Sequence, residues 1–318
     1  MIQATLPNER LPQLLGSLRG SLGQVIKGKG EVIECLVAAL IAGGSILLED
    51  VPGVGKTTLA KALAASVDLE FRRVQCTPDL LPADIFGFSV YNPQDGTFQF
   101  RAGPIFCNVL LLDEINRASP RTQSALLEAM AECQVTIEGT HHELPPPFLV
   151  VATQNPAGYR GTFPLPESQL DRFLFTMSLG YPDAESELEM LYDQIEEHPV
   201  VRVASVWNKD DVLACQRAAR RVHVERSVAG YLLSLVRRTR DDARLRLGCS
   251  PRGSLALFRA SQAMALMAGR QFVLPDDVRK AAPLVLQHRI VAARTSEASV
   301  LVQRDIVASI LADLKVPL

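Results

Sequence analysis

The chain has 318 residues, enough for two domains that each bury a core of their own. Hydrophobic residues make up 47% and charged residues 21%, and the net charge of −2 provides no global field that would favour nucleic acid or an anionic membrane. The longest apolar stretch, Cys35 to Leu48, is broken by Gly43, Gly44 and Ser45 and is too short to span a bilayer; no basic, apolar leader follows Met1, so a cytoplasmic protein without membrane insertion is expected.

Residues 8–41 read as helical, with an interruption around Gly20-Ser21-Leu22-Gly23. Val25, Ile26 and Gly28 then stand just before the first strand, where they offer an apolar wall to an adenine base. That strand, Ser45–Glu49, runs into Asp50-Val51-Pro52-Gly53-Val54-Gly55-Lys56-Thr57-Thr58, which reads as a phosphate-binding loop. Without side chains at Gly53 and Gly55, consecutive backbone N–H groups can turn inward around phosphates, and the helix that follows aims its positive end at the same anion. Lys56 would reach the β- and γ-phosphates and the Thr57 hydroxyl would hold Mg²⁺, while Pro52, Val54 and Thr58 complete the nucleotide-binding stretch. One position departs from the usual pattern: Asp50 stands where the first glycine is customary.

A second strand is placed at Glu70–Gln75. Phe88–Tyr91 and Thr97–Phe100, separated by Asn92-Pro93-Gln94-Asp95-Gly96, then form a hairpin pattern inside what should be the second helical crossover. The third strand, Val109–Leu112, is a continuous apolar run suited to a parallel strand buried on both faces, and it ends in Asp113-Glu114. Ligands of open α/β sheets bind at such strand ends; there Asp113 can hold a metal through its water shell and Glu114 can polarise an attacking water. Ser119 and Pro120 open a helix over 120–132 with an apolar stripe of Leu126, Leu127 and Met130. A second extended pair, Gln134–Glu138 and His142–Leu144 around Gly139, precedes the fourth strand, Leu149–Thr153. His141 and His142 should point to opposite sides of their segment, as solvated residues rather than metal ligands.

The fourth strand ends at Asn155, which can orient the water or bond the γ-phosphate without adding charge. The fifth, Phe173–Ser178, is preceded by Leu170-Asp171-Arg172. After Gly180-Tyr181-Pro182 only helices are expected, over 183–197, 209–221, 226–240, 252–268, 275–288 and 298–314, so the division falls into an α/β part at 1–180 and an α-helical part at 181–318. Ser250-Pro251-Arg252-Gly253 opens one of these helices and can carry Arg252 over the phosphates. Nine arginines between 217 and 246 read as a solvated face or a contact with a neighbouring subunit or acidic partner. The six cysteines show no C-x-x-C spacing and read as reduced core thiols.

With these residues in place, the chain resembles the AAA+ ATPases and, within them, the MoxR family. The resemblance spans about Gly23 to Ile290 and rests on Leu48–Thr57, Leu112-Asp113-Glu114-Ile115-Asn116-Arg117-Ala118, Ala152-Thr153-Gln154-Asn155-Pro156 and Leu165–Phe173. It implies a five-stranded parallel sheet of order 5-1-4-3-2 with an insert in the second helix, an all-α lid, and ring assembly, commonly hexameric, with ATP/ADP and Mg²⁺ at subunit interfaces. On the family pattern Asn155 is the first sensor, Arg252 the second, and Arg172 the best match to a finger acting on the neighbour's ATP; Arg117 and Arg160 match less well. The family also implies chaperone-like activation of client proteins or metal-cofactor enzymes, with partners carrying a von Willebrand factor A domain.

Three other readings compete. A chelatase-type or nucleic-acid-remodelling motor shares the fold, but balanced charge and the lack of a basic module argue against nucleic acid. Asn208-Lys209-Asp210-Asp211 matches a guanine-reading motif, yet it lies beyond the α/β part and precedes a helix that Asn208 or Asp210 could cap. A scaffold that binds ATP without turnover would not need Glu114, Asn155 and Arg172 together.

Overall fold

The computed structural model describes residues 10–94, 96–155, 161–193, 199–293 and 299–316. Arg160, Pro156 and the end of the helix expected at 183–197 lie outside the described residues. The described residues open with α1 (Arg10–Val25) and α2 (Gly30–Ala42). Leu11, Leu14, Leu15, Leu18 and Leu22 recur at helical spacing and are buried, so α1 continues through Gly20–Gly23, where an interruption was expected. Ser21 lies on that buried face and pairs its hydroxyl with Ser66 at 2.8 Å, and the break falls later, at residues 26–29.

The α/β part then runs β1 (Ile46–Glu49), α3 (Lys56–Ser66), β2 (Phe71–Gln75), α4 (Pro82–Phe86), β3 (Gly87–Asn92), β4 (Thr97–Ala102), β5 (Val109–Asp113), α5 (Pro120–Glu132), β6 (Gln134–Ile137), β7 (Thr140–Glu143), β8 (Leu149–Gln154), α6 (Glu167–Leu170) and β9 (Phe175–Met177). Five of these strands form one sheet in the order β2-β5-β8-β1-β9, with parallel pairing throughout. Counted among themselves in chain order this is 5-1-4-3-2, as the resemblance implies. β5 and β8 are buried along nearly their whole length because helices cover both faces, which is why they read as unbroken apolar runs. β2 and β9 are the two edges, and three of the five residues of β2 are exposed.

Both expected hairpins form, β3 with β4 and β6 with β7. They also touch each other: Ser89 donates to Glu138 at 2.7 Å, and the His142 ring stacks on Phe100 with centroids 4.4 Å apart. His141 instead faces solvent beside Thr136, so the two histidines diverge as strand geometry requires.

The remainder comprises α7 (Ala184–Asp193), α8 (Lys209–Arg221), α9 (Arg226–Asp241), β10 (Leu245–Leu247), α10 (Pro251–Met267), α11 (Pro275–Leu286), β11 (Val291–Ala292) and α12 (Ser299–Asp313). The expectation of helices alone is corrected by the antiparallel pair β10–β11, whose strands are too short to show a two-residue alternation in sequence. α8 and α10 pack on α2, and the buried Trp207 indole donates to the Leu14 carbonyl of α1 at 2.8 Å, so these helices share a core with the N-terminal pair. Cys76, Cys107, Cys215 and Cys249 are buried thiols as expected; Cys35 is half-buried and Cys133 is exposed, which corrects the reading for those two. No helix among the described residues is long and apolar enough to cross a membrane.

Candidate nucleotide-binding site

The glycine loop joins β1 to α3. Gly53 and Gly55 have φ of 90° and 98°, a region L side chains rarely adopt, while no described residue beyond their chain neighbours comes within 4 Å of where their Cβ atoms would be. Conformation therefore demands glycine at both, and the space beside them is open. Lys56 follows at the first position of α3, and its ammonium donates to the carbonyls of Asp50 (2.9 Å) and Val51 (2.8 Å). Burial lowers its pKa, against an opposing pull from the carboxylates of Asp50, Asp113 and Glu114.

Asp50 has a different role from the glycine it replaces. It is not among the positive-φ residues, so its backbone tolerates a side chain. Its buried carboxylate accepts hydrogen bonds from the Ser178 hydroxyl (2.7 Å) and from the backbone N–H groups of Leu179 and Gly180. The start of the loop is thereby strapped to the chain leaving β9. Asp50→Gly, which restores the customary glycine, is expected to cost about 2–3 kcal/mol because three donors lose a charged acceptor. An unchanged denaturation midpoint in that variant would show that the strap contributes nothing to stability.

The acid tip of β5 is held just as closely. Thr153 of β8 donates to Asp113 Oδ1 at 2.7 Å and accepts the Glu114 backbone N–H at 2.8 Å, fixing both acids to the neighbouring strand. Asp113 Oδ2 accepts from Arg73 at 2.6 Å. Glu114 sits in the left-handed region at φ 57°, and its carboxylate accepts from Asn155 (2.9 Å), Gln75 (3.0 Å) and Arg117 (3.0 Å). Burial pushes the Glu114 pKa up, but the hydrogen bonds from Asn155 and Arg117 outweigh it and hold the group below the ordinary value. At neutral pH it is a carboxylate, able to accept a proton.

A cavity of about 430 Å³ gathers Pro52, Gly53, Gly55, Lys56, Thr57 and Thr58 of the loop with Asp113, Glu114 and Asn155. Arg73 and Gln75 of β2 line the same space, and the sequence reading missed both. Their only local signal is two polar residues at strand spacing, which is ordinary for an edge strand. A second cavity of about 270 Å³ adjoins the loop; Val25, Ile26, Pro52, Val54 and Leu179 give it an apolar wall suited to a base, and Lys27, Lys29, Glu187 and Asp193 also line it. Gly28 does not line it. A Cβ at Gly28 would lie 2.3 Å from the Ser186 hydroxyl, so this glycine serves the close approach of α7 rather than that cavity. The Thr57 hydroxyl and the Asp113 carboxylate supply hard oxygens in one cavity, a donor set that suits Mg²⁺.

Arg172 and Arg252 lie elsewhere. Arg172 is half-buried and donates to the Leu127 carbonyl of α5 at 2.8 Å; it lines neither cavity. Asp171 beside it is bound by the buried Arg289 at 2.9 Å and by the Ser250 hydroxyl at 2.8 Å, which joins the Arg172 segment to the start of α10. Arg252, the second residue of α10, is exposed and also lines neither cavity. Arg117 bonds its own Glu114. Asn208 caps α8 in a reciprocal pair with Asp211, which accounts for the guanine-motif match by helix capping.

Sheet order, glycine loop, acid tip and helical lid define an AAA+ P-loop fold. Residues 45–175 match the ATPase family associated with various cellular activities, and residues 237–310 match the AAA lid domain. The chain is 46% identical over 309 residues to the YeaC protein of Bacillus subtilis, covering 97% of each chain. It is 40% identical to chaperone MoxR1 of Mycobacterium tuberculosis over 84% of this chain and 73% of that one. With the MoxR protein of Methylorubrum extorquens it shares 31% identity, covering 85% of each. A crystal structure of a candidate ATPase from Cytophaga hutchinsonii superposes with a TM-score of 0.88 at 38% identity, over 98% of this chain and 97% of that one. The chain belongs to the MoxR family of AAA+ ATPases.

Proposed function

We propose that this chain is the ATP-hydrolysing subunit of a MoxR-type ring, with an α/β part through residue 180 and a helical lid from 181 to 318. The observation that carries the reading is the meeting of Lys56 and Thr57 with Asp113, Glu114 and Asn155 around one cavity. Lys56 and the loop N–H groups bind the phosphates, and Thr57 with Asp113 would hold Mg²⁺, which supplies charge neutralisation and phosphate orientation when bound. Glu114 accepts a proton from the attacking water, and Asn155 keeps the Glu114 carboxylate turned toward it. The apolar wall at Val25 and Ile26 takes the adenine.

Arg172 and Arg252 stand outside their own chain's cavities, which favours a ring in which neighbours complete each other's sites, commonly a hexamer in this family. The Mycobacterium tuberculosis relative is called a chaperone, which supports a chaperone role here; activation of client proteins or metal-cofactor enzymes follows from family analogy. A partner with a von Willebrand factor A domain fits by family analogy alone.

Phosphate release from ATP in the presence of Mg²⁺ tests the reaction. ATP should be turned over and GTP should compete poorly, while Lys56→Ala should lose most ATP affinity because it removes the cation that faces the phosphates. Equal turnover of GTP and ATP, or full ATP affinity in Lys56→Ala, would refute the assignment.

A further inference from the structure

β2 is an edge strand, and its side chains divide between two faces. Arg72 turns away and pairs with Glu70, whereas Arg73 and Gln75 reach the acid tip of β5. Arg73 Nη2 lies 2.6 Å from Asp113 Oδ2 and 2.9 Å from Gln75 Oε1. The other Asp113 oxygen accepts from Thr153, so each oxygen of the carboxylate already has one donor, and Arg73 is the charged one. The two partners differ in freedom: the Asp113 side chain is 13% exposed and that of Arg73 is 46% exposed. The acid is the enclosed partner, held by two donors, and the guanidinium is the more exposed and so the freer of the two.

We infer that Arg73 is a positioning residue that competes with Mg²⁺ for Asp113, and so sets how much Mg²⁺ the site needs before it holds nucleotide. The inference rests on the nucleotide-site reading above. An ion pair with one exposed member is weak, so a divalent ion beside a polyphosphate displaces it, but at a cost that appears as a higher Mg²⁺ requirement. Between displacements Arg73 keeps Asp113 neutralised and correctly turned, and Gln75 provides the guanidinium with a second anchor. Arg73 belongs to this device through its charge rather than its volume.

The test is binding of a fluorescent ADP analogue, titrated with Mg²⁺, to the parent, R73Q and R73K. The Mg²⁺ midpoint is expected to fall by about 2–5-fold in R73Q and to stay close to the parent in R73K, which keeps a cation beside Asp113. An unmoved or higher midpoint in R73Q would overturn the inference, and so would an equal fall in R73K, which would point to packing rather than charge. Arg73→Met serves the same purpose if R73Q does not fold. A parent that bound no analogue at any Mg²⁺ concentration would sink the site reading itself, whereas a parent that bound it without Mg²⁺ dependence, or with an R73Q midpoint unmoved, would sink the Arg73 inference alone.

Discussion

Purified Glu114→Gln is expected to bind ATP as the parent does and to hydrolyse it about 10²–10⁴ times more slowly, the scale of a lost general base. The substitution keeps the shape of the side chain and one acceptor oxygen: Gln75 and Arg117 can still donate where Oε2 stood, while the position facing Asn155 becomes an NH2 donor and that bond survives only with the Asn155 amide turned to accept. What it removes is the ability to take a proton. Binding should survive because the phosphate grip lies on Lys56 and the loop, across the cavity from Glu114. Parent-rate hydrolysis by this variant would remove Glu114 from the chemistry, and lost binding would mean that its role is structural. Trapped with nucleotide, it is also the form best suited to capture a client.

Arg172→Ala is expected to bind nucleotide almost normally and to turn it over slowly, because a guanidinium delivered by a neighbour contributes about 10³–10⁵ in rate in phosphoryl transfer. Within one chain Arg172 donates to the Leu127 carbonyl and lines neither cavity, so any catalytic role requires that it serve another subunit. Its backbone is anchored through Asp171 to Arg289 and Ser250, so only the side chain needs to leave α5. Turnover per subunit should rise with protein concentration as rings assemble. Mixing Arg172→Ala with Lys56→Ala should recover some activity, since mixed interfaces pair an intact pocket with an intact finger. Turnover independent of concentration, together with no recovery on mixing, would show instead that the site is complete within one chain.

Much of this was legible before any coordinates. The helix Pro120–Glu132 is bounded as the Ser119 cap and the first-position Pro120 indicate. The central strands announce themselves as apolar runs because both faces are covered, and Lys56, Thr57, Asp113, Glu114 and Asn155 meet around one cavity as their motifs imply. Each of these signals is local: a cap, a glycine turn, or a strand ending in acids, all encoded within about ten consecutive residues.

Only the tertiary structure decided what surrounds those motifs. Gln75 stands opposite Asp113 in the β2–β5 register, and this pairing across some forty residues of chain brings Arg73 and Gln75 to the acids. Asp50 looked like a defect in the loop until β9, laid beside β1, brought Ser178 to Gly180 within reach of its carboxylate. Gly28, which seemed to flank the base, is claimed by Ser186 of a helix more than a hundred and fifty residues later. The physical reason is common to all three: a motif fixes the backbone it is written in, whereas the partners of a side chain depend on which strands and helices become neighbours, and that choice is made by the burial of the whole core.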